Sequence, residues 1–529
     1  MAVPEAGASL GRPRGLAAPL LFGAFALFGL WFAWRTWDGG VDAGDEGIAA
    51  VDAWRLLRGE VPHADFFEIV PPVSFLPTAL AFRLFGATVA AERGLSLLYA
   101  LLLAVGCERL LARFTKDLTA RALVVAFLVP FGVLNWPMPS HHWAATLLQV
   151  YALLALHAAL RGPRPLAWSA AAGALAGWAG LSLQDQGALF ALLVPLLGFP
   201  WVAEAARRRR LLAGWLLGLA SAAAPVLLWL LSRVPPGELL RQWVLFPASQ
   251  YATVNSSQFA FPWREIASAL TGPGFREAPL VMAAYAVTQC FTTLLPPASL
   301  AAATALLLRR RGDELAEAGL LAGGALALVL TCLRRYMLTN LFWAAPVPLV
   351  LVAWAASAAA GPGRRPALRW LARGGAWVVT AACLLAAFHF GAVSSSPART
   401  VTVRGPAGAL RFTDPYRGGQ LQELLDAVER EVPPGAPLFC RGYIPLVNFL
   451  ALRPNPTRYT FFVPPYNTAD QGAEWVRSLR RGGVVWGVSQ TDRSRFLDGS
   501  GLYVVANYEP VWSNREFILW KARSAGGPP

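Results

Sequence analysis

Charge is what this chain most lacks. Only 15% of its 529 residues are Asp, Glu, Lys or Arg, against about 25% in an ordinary soluble protein, while 56% are hydrophobic. That deficit, with long apolar runs and a mean hydropathy of +0.45, excludes a single soluble globule and points to a polytopic membrane protein. Cysteine is thin too. Cys107, Cys290, Cys332, Cys383 and Cys440 show no CxxC spacing, and four fall in or beside apolar runs, so they read as small core residues rather than a disulfide framework or metal site. The histidines form no HxxxH or HxxE pair, which removes the usual zinc signatures. Acidic residues are outnumbered, 31 against 46 basic, for a net charge of +15. The arginines lie in short clusters between apolar runs instead of on one polar domain, so they read as topology signals and not as a nucleic-acid face. No repeat of fixed period appears, and no inverted pair of Gly/Pro-broken spans of the transporter type.

What is present is a series of apolar runs long enough to cross a bilayer, near 16–35, 93–112, 119–135, 143–160, 165–183, 187–204, 211–231, 287–308, 315–333, 337–358 and 370–391. The first is too long for a removable signal peptide, has no clear small-residue cleavage site, and reads as an anchor. The sequence therefore predicts a polytopic α-helical membrane protein of about eleven transmembrane helices. Its domains are a membrane domain over 1–394, with a first loop at 36–92, and a soluble C-terminal α/β domain over 395–529. In that tail "GQLQELLDAVEREV" and "EWVRSLRRG" have helical character, and "APLFCRG" and "GVVWGVS" read as buried strands. "GLYVVANYEPVWSNREFILWKA" reads as a closing hairpin turning at Tyr508–Glu509–Pro510.

Orientation follows from the basic residues. Arg12 and Arg14, then Arg109, Arg113, Lys116 and Arg121, Arg161 and Arg164, Arg207 to Arg210, Arg309 to Arg311, and Arg364, Arg365, Arg369 and Arg373 all fall on one side of the predicted spans. By the positive-inside rule that side is the cytoplasm, which gives a cytoplasmic N-terminus, an extracytoplasmic tail and a place in the plasma (inner) membrane. The opposite face collects the unusual polar residues: the acidic opening loop, "NWPMPSHH" with His141 and His142, "SLQDQG" with Gln184 and Asp185, and "LRRYMLTN" with Arg334 and Arg335. Ionisable groups at membrane depth are costly and usually face a cavity or a partner, so their convergence suggests one polar site.

The loop "GGVDAGDEGIAAVDAWRLLRGEVPHADFFEIVPP" (39–72) is the densest acidic stretch. Asp45 and Glu46 sit between Gly44 and Gly47, where the backbone is free to turn; "GIAAVDAWRLLRG" follows as an interfacial amphipathic helix, and "VSFLPTALAFRLFG" as a second, ahead of Glu92 and Arg93 at the mouth of the next span. A carboxylate here can serve as general base toward an acceptor hydroxyl, with burial raising its pKa. Arg334 or Arg335 can hold a phosphate leaving group.

These residues resemble a known family. "DEG", "LLRGEVPHADFFEIVPP", "AFRLFGATVAAERG" and "RRYMLTNLFWAAPVPL" (334–349) are similar to segments of the GT-C glycosyltransferases, in particular the protein-mannosyltransferase, aminoarabinose-transferase and RgtA/B/C/D-like group. The resemblance implies a many-span membrane domain with an extracytoplasmic tail, and transfer of a sugar from a polyprenyl-phosphate-linked donor to a lipid, glycan or protein acceptor. It places the catalytic acids at Asp45 and Glu46, a second acidic position at Asp65, and an Arg-Tyr pair at Arg335 and Tyr336. The family often has Lys where this chain has Gln184.

Plainer roles stand beside these. Asp45 can cap the helix that follows, Asp65 can be solvated at the interface, and His63 can be structural or a minor contact. His141 and His142 diverge at a helix start, which suits acceptor or carrier contact better than joint metal ligation. His157 and His389 read as satisfied core residues. Gln184 and Asp185 can cap a helix or touch substrate, and Arg334 and Arg335 can snorkel to head groups. No cofactor is required; a divalent metal is left open. The alternative class, a transporter or flippase of lipid-linked glycans, would spread polar residues over the midplane and both faces. Here they gather on one.

Overall fold

The computed structural model describes residues 17–254, 261–333, 335–361, 363–464, 466–491 and 497–523. Every predicted span coincides with a helix: α1 (Ala17–Thr36), α4 (Val89–Leu111), α5 (Leu118–Phe131), α6 (His141–Arg161), α7 (Pro165–Ser182), α8 (Gln184–Gly198), α9 (Ala205–Leu231), α10 (Pro279–Arg309), α11 (Gly312–Cys332), the pair α12 (Leu338–Ala344) and α13 (Pro346–Ala359), and α14 (Pro366–Ser394). The chain is a multi-pass membrane protein. Among the described residues eight helices are long and apolar enough to cross alone, or nine with the α12–α13 pair, which bends by 67° at a proline that cannot continue the hydrogen-bond ladder. The expected count of about eleven falls because α7 is diluted by alanine and glycine and α8 has only 15 residues. These two form an antiparallel hairpin, so discounting both leaves the tail on the same side.

Small residues let these helices close on one another. A Cβ on Gly173 of α7 would strike the Trp215 carbonyl of α9, one on Gly218 of α9 would strike the Ala170 carbonyl of α7, and Gly319 of α11 lies equally tight against Leu197 of α8. Such close backbone approach replaces the hydrophobic drive that lipid cannot supply.

The first loop contains the two expected interfacial elements, α2 (Asp45–Leu57) and α3 (Leu76–Phe85). The tail has a hairpin, β1 (Val401–Gly405) with β2 (Gly408–Phe412), then helix α15 (Pro415–Glu431) and a four-stranded sheet. In that sheet β3 (Leu438–Arg441) pairs in parallel with β4 (Trp486–Gln490), the connection running through α16 (Ala469–Arg481). Strands β5 (Tyr508–Ser513) and β6 (Phe517–Ala522) complete the order β3-β4-β6-β5, both antiparallel. The closing hairpin is therefore displaced from its predicted position. Gly499–Asn507 is a helix, N-capped by the Asp498 carboxylate on the amides of Ser500 and Gly501, and the turn falls after Ser513.

One hydrophobic cluster unites the first loop with the tail: Ala50, Val51 and Ala53 of α2, Phe75 and Phe82, and Leu446, Val447, Phe449 and Leu450 of the tail are buried together. Gly44 and Gly47, expected to permit a sharp turn, instead make room for this docking. Gly44 is in ordinary right-handed conformation, and a Cβ there would fall on the Tyr443 ring; one on Gly47 would fall on the Leu446 backbone. Gly47→Ala should therefore push the tail off α2 and lower stability by roughly 1–3 kcal/mol, read as a fall in Tm of the detergent-solubilised protein; an unchanged Tm contradicts this contact.

Candidate active site

Where tail, first loop and span ends meet there is a cavity of about 590 Å³. Its polar lining includes Asp42, Asp45, Glu68, His141, His142, Arg335, Thr460 and Asn467; Tyr251, Tyr443, Tyr459, Phe461 and Tyr466 give it an aromatic wall. Asp45 stands in the first turn of α2. The Asp42 carboxylate fixes that turn by accepting from the amides of Gly44 and Asp45, both at 2.9 Å. The Asp45 carboxylate faces the cavity and accepts the Tyr443 hydroxyl, which joins residues 398 positions apart in sequence. Dense surroundings raise its pKa to about 6, with the Asp42 charge adding to the rise and the Tyr443 hydrogen bond and the Arg335 charge opposing it. Burial and the neighbouring Asp45 charge raise the Tyr443 phenol well above its usual range, so it remains a donor. Arg335 donates to the Tyr251 hydroxyl at 3.1 Å and is the cavity's cation.

Adjacent residues on a helix point about 100° apart, and Glu46 turns away from the cavity. It is 1% exposed and pairs with Arg93 of α4 at 2.6 Å. Arg93 also donates to the Gly39 carbonyl at 2.9 Å, and Glu46 accepts the Asp42 amide at 3.3 Å. The pair therefore clamps the turn that aims Asp45. His141 and His142 line the cavity at the start of α6, with His142 stacked on Trp343 at 4.2 Å.

No family model matches the sequence, and no curated protein sequence matches it. Solved structures do match. ArnT from Cupriavidus metallidurans, bound to undecaprenyl phosphate, aligns at TM-score 0.60 and 14% identity over 97% of this chain and 99% of its own. The oligosaccharyltransferase of Archaeoglobus fulgidus aligns at TM-score 0.54 and 13% identity in complex with Zn and sulfate, covering 95% of this chain and 73% of its own. Tethered to an acceptor peptide containing the NVT sequon it aligns at TM-score 0.53 and 12% identity, over 97% of this chain and 75% of its own. The chain has the GT-C fold. Among the described residues, no three His, Cys, Asp or Glu converge as a candidate ligand set.

Of the residues singled out in the sequence, Asp45, His141, His142 and Arg335 line the cavity, and the rest of those described do not. Glu46 and Arg93 form the clamp behind it. Asp65 closes a turn by accepting the Val61 amide at 2.7 Å. His63 is fully buried at φ 69°; its Nδ1 donates to the Glu68 carbonyl and Gln242 Oε1, and its Nε2 accepts from Trp243. Gln184 donates to the carbonyls of Ile69 and Trp243 and so buttresses the cavity wall, while Asp185 accepts the Gln186 amide in the first turn of α8. The Tyr336 phenol donates to the Thr293 carbonyl at 2.6 Å, tying the segment before α12 to α10. Arg334 lies outside the described residues. The lone-core reading of His157 also changes, because its Nδ1 is 3.1 Å from Glu317, which Arg161 also holds. Missed were Tyr251, Tyr443, Tyr466 and Glu68. The aromatic density of "YTFFVPPYNT" was the available signal for Tyr466.

Two stability predictions follow from these roles. Removing one member of a buried ion pair strands the other, so Arg93→Met should cost about 3–5 kcal/mol, and Glu46→Leu with Arg93→Met should recover most of it in denaturant or thermal melts; a neutral single substitution refutes the clamp. Burial lowers the His63 pKa from 6.5 to about 4, so the unfolded chain binds the extra proton first. Stability should be intact above 6.5 and fall as pH drops toward about 4, and His63→Gln should flatten that slope in pH-dependent melts.

Proposed function

We propose that this protein is an integral-membrane glycosyltransferase that moves a sugar from a polyprenyl-phosphate-linked donor to a lipid, glycan or protein acceptor on the extracytoplasmic face. The observation that carries the reading is that Asp45 and Arg335 share one largely enclosed cavity at span ends, with Asp45 at a pKa of about 6. A base near that value is mostly ionised at neutral pH yet still takes up a proton. The acceptor oxygen attacks the anomeric carbon, its proton passes to the Asp45 carboxylate, and the carbon–oxygen bond to phosphate breaks with the electron pair leaving on phosphate. Arg335 offsets the charge that develops there. A single displacement of this kind inverts the anomeric centre and needs no second acid, because phosphate is already a good leaving group. The aromatic wall suits stacking on a sugar ring. The bound undecaprenyl phosphate of ArnT and the acceptor peptide of the archaeal oligosaccharyltransferase support the same class of donor and acceptor on this fold.

Transfer from polyprenyl-phosphate sugars in membrane vesicles tests this. Asp45→Asn should lower kcat by roughly 10²–10⁴-fold without lowering Tm, and Arg335→Lys should raise the donor KM because an ammonium lacks the guanidinium fork. Wild-type kcat/KM should rise through pH about 6 as Asp45 ionises. Tyr443→Phe removes a hydrogen bond that favours the carboxylate and should move that limb to higher pH. Undiminished transfer by Asp45→Asn would remove Asp45 as the base.

A further inference from the structure

A second pair of acids stands beside this cavity with no salt bridge of its own among the described residues. Asp52, on α2 seven residues after Asp45, is fully buried, and Glu68, 8% exposed, lines the cavity. The two carboxyl groups lie close enough that each alters the other's titration. Asp52 Oδ1 accepts the Thr460 hydroxyl at 2.5 Å, while Oδ2 is buried and has no donor. Glu68 Oε1 accepts the amides of Ile69 and Val70 at 2.6 and 3.2 Å. The nearest guanidinium, Arg55, spends its hydrogen bonds elsewhere: Nε on Glu60 at 2.7 Å, Nη1 on the Thr457 carbonyl at 3.1 Å, and Nη2 on the Asp65 carbonyl at 3.3 Å. Two carboxylates in contact and out of water repel strongly unless a proton lies between them.

We infer that Asp52 and Glu68 hold one proton between them and so present a single negative charge, not two, to the phosphate of an incoming lipid-linked donor; the inference rests on the function proposed above. The orphaned Oδ2 is where that proton satisfies both groups. Burial pushes both acids up, Asp52 to about 6 and Glu68 well above the ordinary carboxyl range, the latter with the Asp52 charge as the next cause. The groups facing the pair are Arg55, Glu60 and Thr460 around Asp52, and Tyr466 beside Glu68, with His63 and Gln242 on the Glu68 backbone. The need for the device is electrostatic. Asp42, Asp45 and Glu68 line a cavity whose lining cation among the described residues is Arg335, and a phosphodiester adds one more negative charge. A shared proton removes one charge and keeps the polar wall. Asp52 thus acts through Glu68 as a positioning residue, and Thr460 makes the pair complete only when the tail is docked.

The test uses the full chain in nanodiscs with undecaprenyl phosphate as probe. At alkaline pH the pair loses its proton to solvent, and wild-type affinity for the probe should weaken by roughly tenfold relative to neutral pH, the effect of one added like charge in a partly buried site. In Asp52→Asn the amide donates to Glu68 and no proton is left to lose, so the extra weakening should vanish; the probe's own titration is common to both proteins. Infrared spectroscopy supplies a readout independent of binding. Wild-type-minus-variant infrared difference spectra, which cancel other buried carboxyl groups such as Glu92, should show a protonated carboxyl carbonyl band at neutral pH for both Asp52→Asn and Glu68→Gln, and that band should be titrated away at alkaline pH. Should Asp52→Asn fail to fold, the wild-type infrared titration and Glu68→Gln still decide. Superimposable affinity profiles, or no such difference band for either variant, would overturn the shared proton. Failure of wild type to bind undecaprenyl phosphate at all would instead sink the function proposed above, leaving the infrared result to judge the pair.

Discussion

The structure depends on the docking of the C-terminal unit onto the first loop. Neither piece has a separate core on that side: Val51 and Ala53 of α2 and Leu446 and Phe449 of the tail belong to one buried cluster. Polar contacts follow the same seam, with Arg55 on Thr457, Arg458 on Glu238 and the His63 carbonyl, Thr460 on Asp52, and Tyr443 on Asp45. Lifting the tail would open the cavity, hydrate Asp45 and return it toward an ordinary carboxyl. The cavity at the span ends is thus tied to a packing event between segments some 400 residues apart in sequence.

Helix geometry alone separates an acid that faces the cavity from one that is sealed behind it. Asp45 and Glu46 are neighbours with opposite environments, the first facing an aromatic cavity and a guanidinium across it, the second sealed against Arg93. A mostly uncharged wall of Tyr251, Tyr459, Phe461 and Tyr466 keeps the local dielectric low, so each charge in the cavity counts for more than it would in water. His63, Gln242 and Gln184 belong to the supporting frame, which crosses from the first loop to the 232–254 segment and on to the end of α8.

Much of this was legible in the sequence because membrane constraints write themselves locally. Apolar runs located every helix of the bundle, the acidic loop supplies part of the cavity lining, and Arg335 stood out as charge at a span end. What the sequence hid is long-range. Nothing near Tyr443 announces that it meets Asp45, and the choice between Asp45 and Glu46 required knowing that Arg93 packs behind α2. Gly44 and Gly47 suggested a turn because glycine permits one, whereas here their missing side chains admit another segment. The Gly499–Asn507 stretch misled because a short apolar run has no period long enough to tell helix from strand.

The most direct test of the docked arrangement is topological. Single cysteines replacing Arg58 in the first loop, Arg430 on α15, and Arg365 before α14 can be probed in intact cells with a membrane-impermeant thiol reagent, since all three positions are exposed. The expected result is labelling at 58 and 430 from outside, with 365 labelled only after permeabilisation. Labelling that places 58 and 430 on opposite sides of the membrane would contradict the shared seam and everything built on it.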